Sequence, residues 1–188
     1  RLLAAFLVVC NHTSPLDSFA PGADFWLTRV LARIAVPFFL MVSGYFLSRD
    51  GWRGTGRFLK RTLTLYAAAV LLYLPLNWYN GGFASPLQGL QKLLLDGTLY
   101  HLWYFPAVLL GVVIARKLAR LPAPTALSLA VLLYLVGVDG DSYYGFTAAV
   151  PALKTMYDGI FLVFSYTRNG LFFAPLFLLL GAAGLRWS

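Results

Sequence analysis

Of the 188 residues, 60% are hydrophobic and only 12% charged, with a mean hydropathy of +0.72; ordinary soluble domains carry about a quarter charged residues, so that class is excluded. The net charge of +8 sits in short clusters between apolar runs and forms no soluble basic face, which excludes nucleic acid as a partner. All seven acids are Asp and Cys10 is the lone cysteine, which leaves little material for paired-carboxylate chemistry and excludes an internal disulfide or a thiolate metal cluster.

Apolar runs at about residues 2–12, 34–48, 62–79, 102–115, 121–138 and 169–185 predict an all-α, polytopic transmembrane helical bundle with about six crossings, several shorter than the usual ~20 residues. Residues 1–188 read as a single membrane domain. The chain opens on Arg1 and closes just past an apolar run, so it is expected to be a fragment of a longer polypeptide, incomplete at both ends.

The first run carries Arg1 at one end and Asn11-His12 at the other. Eleven helical steps bring His12 to within about 20° of the face of Arg1, about 16 Å further along the axis. Residues 13–30 contain Pro15, Asp17, Pro21, Gly22 and Asp24 and read as a loop. In the second run, Pro37 removes a backbone donor and bends the helix, while Ser43-Gly44 offers a small face for close helix approach. Arg29 and Arg33, one turn apart, read as cations snorkelling to headgroups.

Arg57, Lys60 and Arg61 share one face at the start of the third helix. By themselves they allow two readings: a grip on phosphates through guanidinium forks and an ammonium, or charge that sets topology and touches anionic lipid, the commoner role. Beyond Tyr79 a loop leads to His101-Leu102-Trp103-Tyr104, where His101 is either an interface residue or part of a polar site. Arg116-Lys117-Leu118-Ala119-Arg120 joins the fourth and fifth crossings, the run from Ile160 to Thr167 is too short to span, and Arg168-Asn169 either caps the last helix or lines a cavity.

Charge bias sets the orientation. One side holds Arg1, Arg49, Arg53, Arg57, Lys60, Arg61, Arg116, Lys117, Arg120 and Arg186 against Asp50. On the other, Arg29, Arg33, Lys92, Lys154 and Arg168 are balanced by Asp17, Asp24, Asp96, Asp139, Asp141 and Asp158. The positive-inside rule therefore predicts a cytoplasmic amino end, with His12 facing the outer half of the membrane.

The ordered set Arg1 to His12, Pro37-Phe38-Phe39 to Ser43-Gly44, Arg57-Phe58-Leu59-Lys60-Arg61, His101-Leu102-Trp103-Tyr104 and Arg168-Asn169-Gly170-Leu171-Phe172 resembles the acyltransferase 3 family. It is similar to the amino-terminal part of that domain, whose members have about ten membrane helices. The resemblance implies a bacterial inner-membrane transferase that moves an acyl group, usually acetyl, from cytoplasmic acyl-CoA (acetyl-CoA) to an outer-face acceptor such as a cell-surface sugar. It further implies His12 as the catalytic residue and Arg1, Arg57, Lys60 and Arg61 as the acyl-CoA-binding set. In that set Lys60 stands where many members have Arg, which loses one bidentate fork. The candidate acceptor site is His101, Trp103, Arg168 and Asn169, and no metal is expected.

Imidazole changes charge near neutral pH, which suits a base acting on an acceptor hydroxyl. Phe39-Leu40-Met41-Val42-Ser43-Gly44-Tyr45 and Arg168-Asn169-Gly170 also look similar to the membrane domain of the serine and alanine racemases of the glycopeptide-resistance group, thought of as amino-acid uptake modules. The alternative reading is thus a transporter module for a small amino acid such as serine, with His12, His101 and Arg168 around its cavity. A third keeps every charge structural and in contact with membrane lipids.

Overall fold

The computed structural model describes residues 2–184, which are mostly helical and contain no strand. Six apolar helices form the bundle: α1 (Leu2–Thr13), α2 (Pro21–Arg49), α3 (Thr55–Tyr79), α4 (Tyr104–Leu118), α5 (Ala123–Asp141) and α6 (Ala174–Ala183). Four are long and apolar enough to cross a membrane, α4 counting from His101, while α1 and α6 are shorter. They correspond to the six apolar runs of the sequence.

The loop expected over residues 13–30 is corrected: helix begins at Pro21 and continues to Arg49. Pro21 takes the first helical position, where its missing N–H costs nothing. The buried Asp24 carboxylate accepts the Leu16 backbone N–H at 2.9 Å, and Thr28 donates to the Asp24 carbonyl at 2.8 Å, so the polar residues that resembled a loop close the first turn instead. Further along, the helix is π-wound over Trp26–Leu31 and 3₁₀-wound over Ala32–Ile34. Pro37 explains the change, since it offers no N–H to the Arg33 carbonyl and its ring crowds that group.

The core is built around α6. Its Ala174, Leu176, Leu178 and Leu179 pack with Leu40 and Leu47 of α2, Val108, Val112 and Ala115 of α4, and Ala126 and Ala130 of α5. The α2–α6 contact is backbone to backbone. A Cβ at Gly44 would lie 1.9 Å from the Leu178 carbonyl oxygen, and one at Gly181 would lie 1.9 Å from that of Met41. Lipid tails are as apolar as leucine, so helices in a bilayer gain chiefly from such close van der Waals contact.

By contrast α3 is peripheral, with only Thr55, Tyr66 and Asn77 buried along its length. Tyr66 anchors it by stacking on Phe105 at 5.4 Å and donating to the Leu93 carbonyl at 2.8 Å. Leu93 lies in a cap, residues 83–98, folded over the far end of α3. Ser85 begins the cap's helix Pro86–Gln91 by accepting the Gln88 N–H at 3.2 Å. Gly97, at φ +84°, ends the cap in a turn where a Cβ would meet the Trp103 backbone nitrogen at 2.5 Å.

Candidate functional site

A cavity of about 270 Å³ opens among the ends of α1 and α5, the middle of α2 and the turn that enters α6. Its polar wall is Asn11 and His12 from α1, Arg33 from α2, Asp141 and Ser142 from the end of α5, and Arg168, while Val36, Pro37, Trp103, Tyr134, Phe173 and Phe177 supply the apolar wall. The site therefore draws on segments separated by most of the chain.

Local chemistry fixes each contributor. Asn169 is buried and accepts the N–H groups of Leu171 and Phe172 at 2.9 and 3.1 Å while donating to the Tyr166 carbonyl at 2.9 Å. These side-chain bonds turn the backbone so that Arg168 reaches the cavity. The adjacent Thr167 donates to the Gly137 carbonyl at 2.6 Å, and the turn nests on α5 because a Cβ at Gly137 would meet that of Phe172 at 3.0 Å. Of the two roles open to Arg168-Asn169 from sequence, Arg168 takes the lining one, while Asn169 closes the turn that precedes α6 and does not cap that helix, whose start has no side-chain cap.

The Arg168 guanidinium lies over the Trp103 ring, 5.4 Å from its centroid, and its Nε is buried with no hydrogen-bond partner. A guanidinium held by ring stacking rather than by a carboxylate keeps its donors for a ligand. Among the described residues, neither Arg33, Arg168 nor Asp141 forms an ion pair. The His12 ring meets His101 edge-on at 6.3 Å, and His101 meets Tyr73 of α3 at 4.8 Å.

Trp103, Asp141 and Arg168 also wall a neighbouring cavity of about 280 Å³ that reaches Lys92, Asp96 and Ser165. Asp96 ties the cap to the chain before α6. Its carboxylate accepts the Ser165 hydroxyl at 2.6 Å and the Ser165 N–H at 3.2 Å, and its carbonyl accepts the Tyr166 hydroxyl. Burial pushes the Asp96 carboxyl above its ordinary range, with the Ser165 bonds and the Lys92 charge pulling the other way.

Arg57, Lys60 and Arg61 lie at the opposite end of the bundle, exposed on the first turns of α3. Their side chains make no hydrogen bond or ion pair among the described residues. The helical rise from Arg57 to Tyr73, which touches His101, separates them from the His12 cavity by about 24 Å. Trp52, Leu121, Ala126 and Leu179 line an apolar cavity of about 310 Å³ at that end. Arg1 falls outside the described residues.

So the fold brings His12, Trp103 and Arg168 together, with His101 touching His12, and it keeps the basic triplet apart. Sequence reasoning missed Arg33 and Asp141. The available signal was their position as ionisable residues within or at the end of apolar helices, Arg33 inside α2 and Asp141 closing α5, which headgroup contact explained equally well.

The family model for the acyltransferase domain, acyltransferase 3, matches residues 1–187. The chain belongs to this family. Its membership of this family and its apolar helices of spanning length mark it as a membrane protein. The chain is 47% identical over 188 residues to an amino-acid racemase of Enterococcus faecalis, an alignment covering 96% of this chain and 26% of the relative. It is 39% identical over 193 residues to a serine/alanine racemase of Enterococcus gallinarum, covering 96% of this chain and 28% of that protein. The chain thus spans about a quarter of the length of these curated relatives. No solved structure matches it.

Proposed function

We propose that this acyltransferase 3 domain moves an acyl group, in the simplest case acetyl, from cytoplasmic acyl-CoA to a hydroxyl of an acceptor bound in the His12 cavity at the outer face of a bacterial inner membrane. The observation that carries the reading is the separation of two chemically different ends: an exposed, unneutralised basic face at Arg57, Lys60 and Arg61, and a cavity holding His12 and Arg168 at the other end. The basic face, with Arg1, suits the CoA phosphates. The acyl thioester reaches His12 through the bundle.

There the imidazole takes the proton of the acceptor hydroxyl as its oxygen attacks the thioester carbonyl. The carbon–sulfur bond breaks, and the CoA thiolate leaves and recovers a proton. Arg168 and Trp103 orient the acceptor, which is a surface sugar or a small molecule. The test is binding and turnover of acetyl-CoA by the complete polypeptide. His12→Ala keeps binding and loses about 10² to 10⁴ in turnover, while Arg57→Ala/Arg61→Ala loses binding. Undiminished turnover by His12→Ala overturns its role.

A second reading is favoured by the charges of the cavity. Arg33, Arg168 and Asp141 line it with no ion pair between them among the described residues, a set complementary to a carboxylate and an ammonium on one small molecule. Relatives named as amino-acid and serine/alanine racemases agree with an amino acid in this site, bound for uptake. If wild type has no affinity for any acyl-CoA, and proteoliposomes accumulate serine in a manner abolished by Asp141→Asn, this reading replaces the first.

A further inference from the structure

A third polar–apolar constellation lies outside the site, beneath the cap. Between α3 and residues 83–98 runs a groove of about 320 Å³ whose walls include Val70, Leu74, Phe83 and Leu93. Its polar contributors are Asn77 and Thr98, each only 7% exposed. Asn77 Nδ2 and Thr98 Oγ1 are buried without a hydrogen-bond partner. Two unsatisfied polar atoms in one otherwise apolar groove are unfavourable unless a ligand supplies the missing partners.

The position along α3 says what that ligand is. Trp78 and Tyr79, which follow Asn77, are 83% and 85% exposed, the pattern of aromatic side chains at the headgroup boundary. Asn77 therefore lies at the depth of lipid ester groups. Val70, about 10 Å further along the helix, lies in the hydrocarbon, where exposed Leu71 and Leu72 accompany it. Lys92 completes the set: its ammonium sits over the Phe83 ring, 5.8 Å from the centroid, and forms no ion pair among the described residues.

The groove thus joins an apolar wall to an amide and a hydroxyl, and Lys92, which lines the neighbouring cavity, reaches its edge over the Phe83 ring. We propose that this groove binds one anionic glycerophospholipid, with an acyl chain along Val70 and Leu74, an ester carbonyl accepting from Asn77 Nδ2, the adjoining glycerol oxygens paired with Thr98 Oγ1, and the phosphate drawn to Lys92. Bound there, the lipid braces the Thr98 turn that leads into His101 and Trp103. The inference is independent of the acyl-transfer reading.

Native mass spectrometry of the complete polypeptide in mild detergent tests it, with dioleoylphosphatidylglycerol and dioleoylphosphatidylcholine added at equal concentration. The expected result is a one-to-one adduct favouring phosphatidylglycerol. Thr98→Val, close to isosteric, and Asn77→Leu/Thr98→Val should weaken retention at least tenfold, while Lys92→Gln should remove the preference for the anionic lipid. Leu132→Ala, at an exposed position of α5, should retain lipid as wild type does. Circular dichroism and melting temperature show whether each variant is folded, and Thr98→Val alone decides the matter if the double variant is not. No one-to-one adduct in wild type, or an adduct unchanged in folded Thr98→Val, overturns the proposal. So does a higher melting temperature in the folded variants without lipid, since the polar atoms are then merely unsatisfied.

Discussion

Replacing Gly44 or Gly181 by Ala should separate α2 from α6. In each case the added Cβ would lie 1.9 Å from a backbone carbonyl oxygen of the other helix. Unstrained carbon–oxygen contacts begin at about 3.3 Å, so the helices must part by about 1.4 Å. A gap of even 0.5–1 Å forfeits about a quarter to a half of the attraction of each contact across it. The obstacle is main chain and cannot rotate away, which places the cost at the upper end for overpacking, about 3 kcal/mol for either substitution. One separation relieves both clashes, so the double variant should cost less than the sum. Thermal unfolding of the complete polypeptide in detergent, followed by tryptophan fluorescence, reads the effect. Gly56→Ala is the control: it meets nothing within 4 Å and should be neutral or stabilising by up to about 1 kcal/mol. If Gly44→Ala and Gly181→Ala match that control, the backbone contact is not what joins these helices. The same displacement alters the site, because α2 carries Arg33 and α6 carries Phe177 into the cavity wall.

Thr167→Val preserves shape but removes the 2.6 Å bond to the Gly137 carbonyl and should cost about 1 kcal/mol; an unchanged melting temperature would show that the turn is held by packing alone. Asp96→Asn tests the buried carboxyl. Because burial raises its pKa above the ordinary 3.8, its contribution to stability is full below that value and is lost as pH rises through the folded-state pKa. The neutral amide escapes that loss, so the stability of Asp96→Asn relative to wild type should climb as pH rises above the ordinary 3.8. A constant difference would refute the assignment. On the acyl-transfer reading, Trp103→Leu should loosen Arg168 and raise KM for the acceptor more than it lowers kcat, since the ring positions the guanidinium; steady-state kinetics decide between the two.

Much of this molecule was legible in its residue order. Six apolar runs became six apolar helices because a helix satisfies its backbone polar groups within one segment, as lipid requires, and Ser43-Gly44 announced a close contact that α6 indeed makes at Gly44. Residues 13–30 misled because Pro, Gly and Asp mark loops and helix starts alike; what separates the two is whether Asp24 finds the Leu16 N–H, a tertiary matter.

The site divides the same way. His12, Trp103 and Arg168 could be singled out from sequence, and the structure gathers all three at one cavity. That Arg168 lines the cavity beside the turn Asn169 closes, that Arg33 and Asp141 join it, and that Asn77 and Thr98 share a groove depend on contacts between segments far apart in the chain. Periodicity and composition report how each segment meets solvent or lipid, and so they determine helices, spans and charge bias. Which polar ends converge is set by how close the helices can pack, and here Gly44 and Gly181 let backbones touch while Gly137 admits Phe172 against α5.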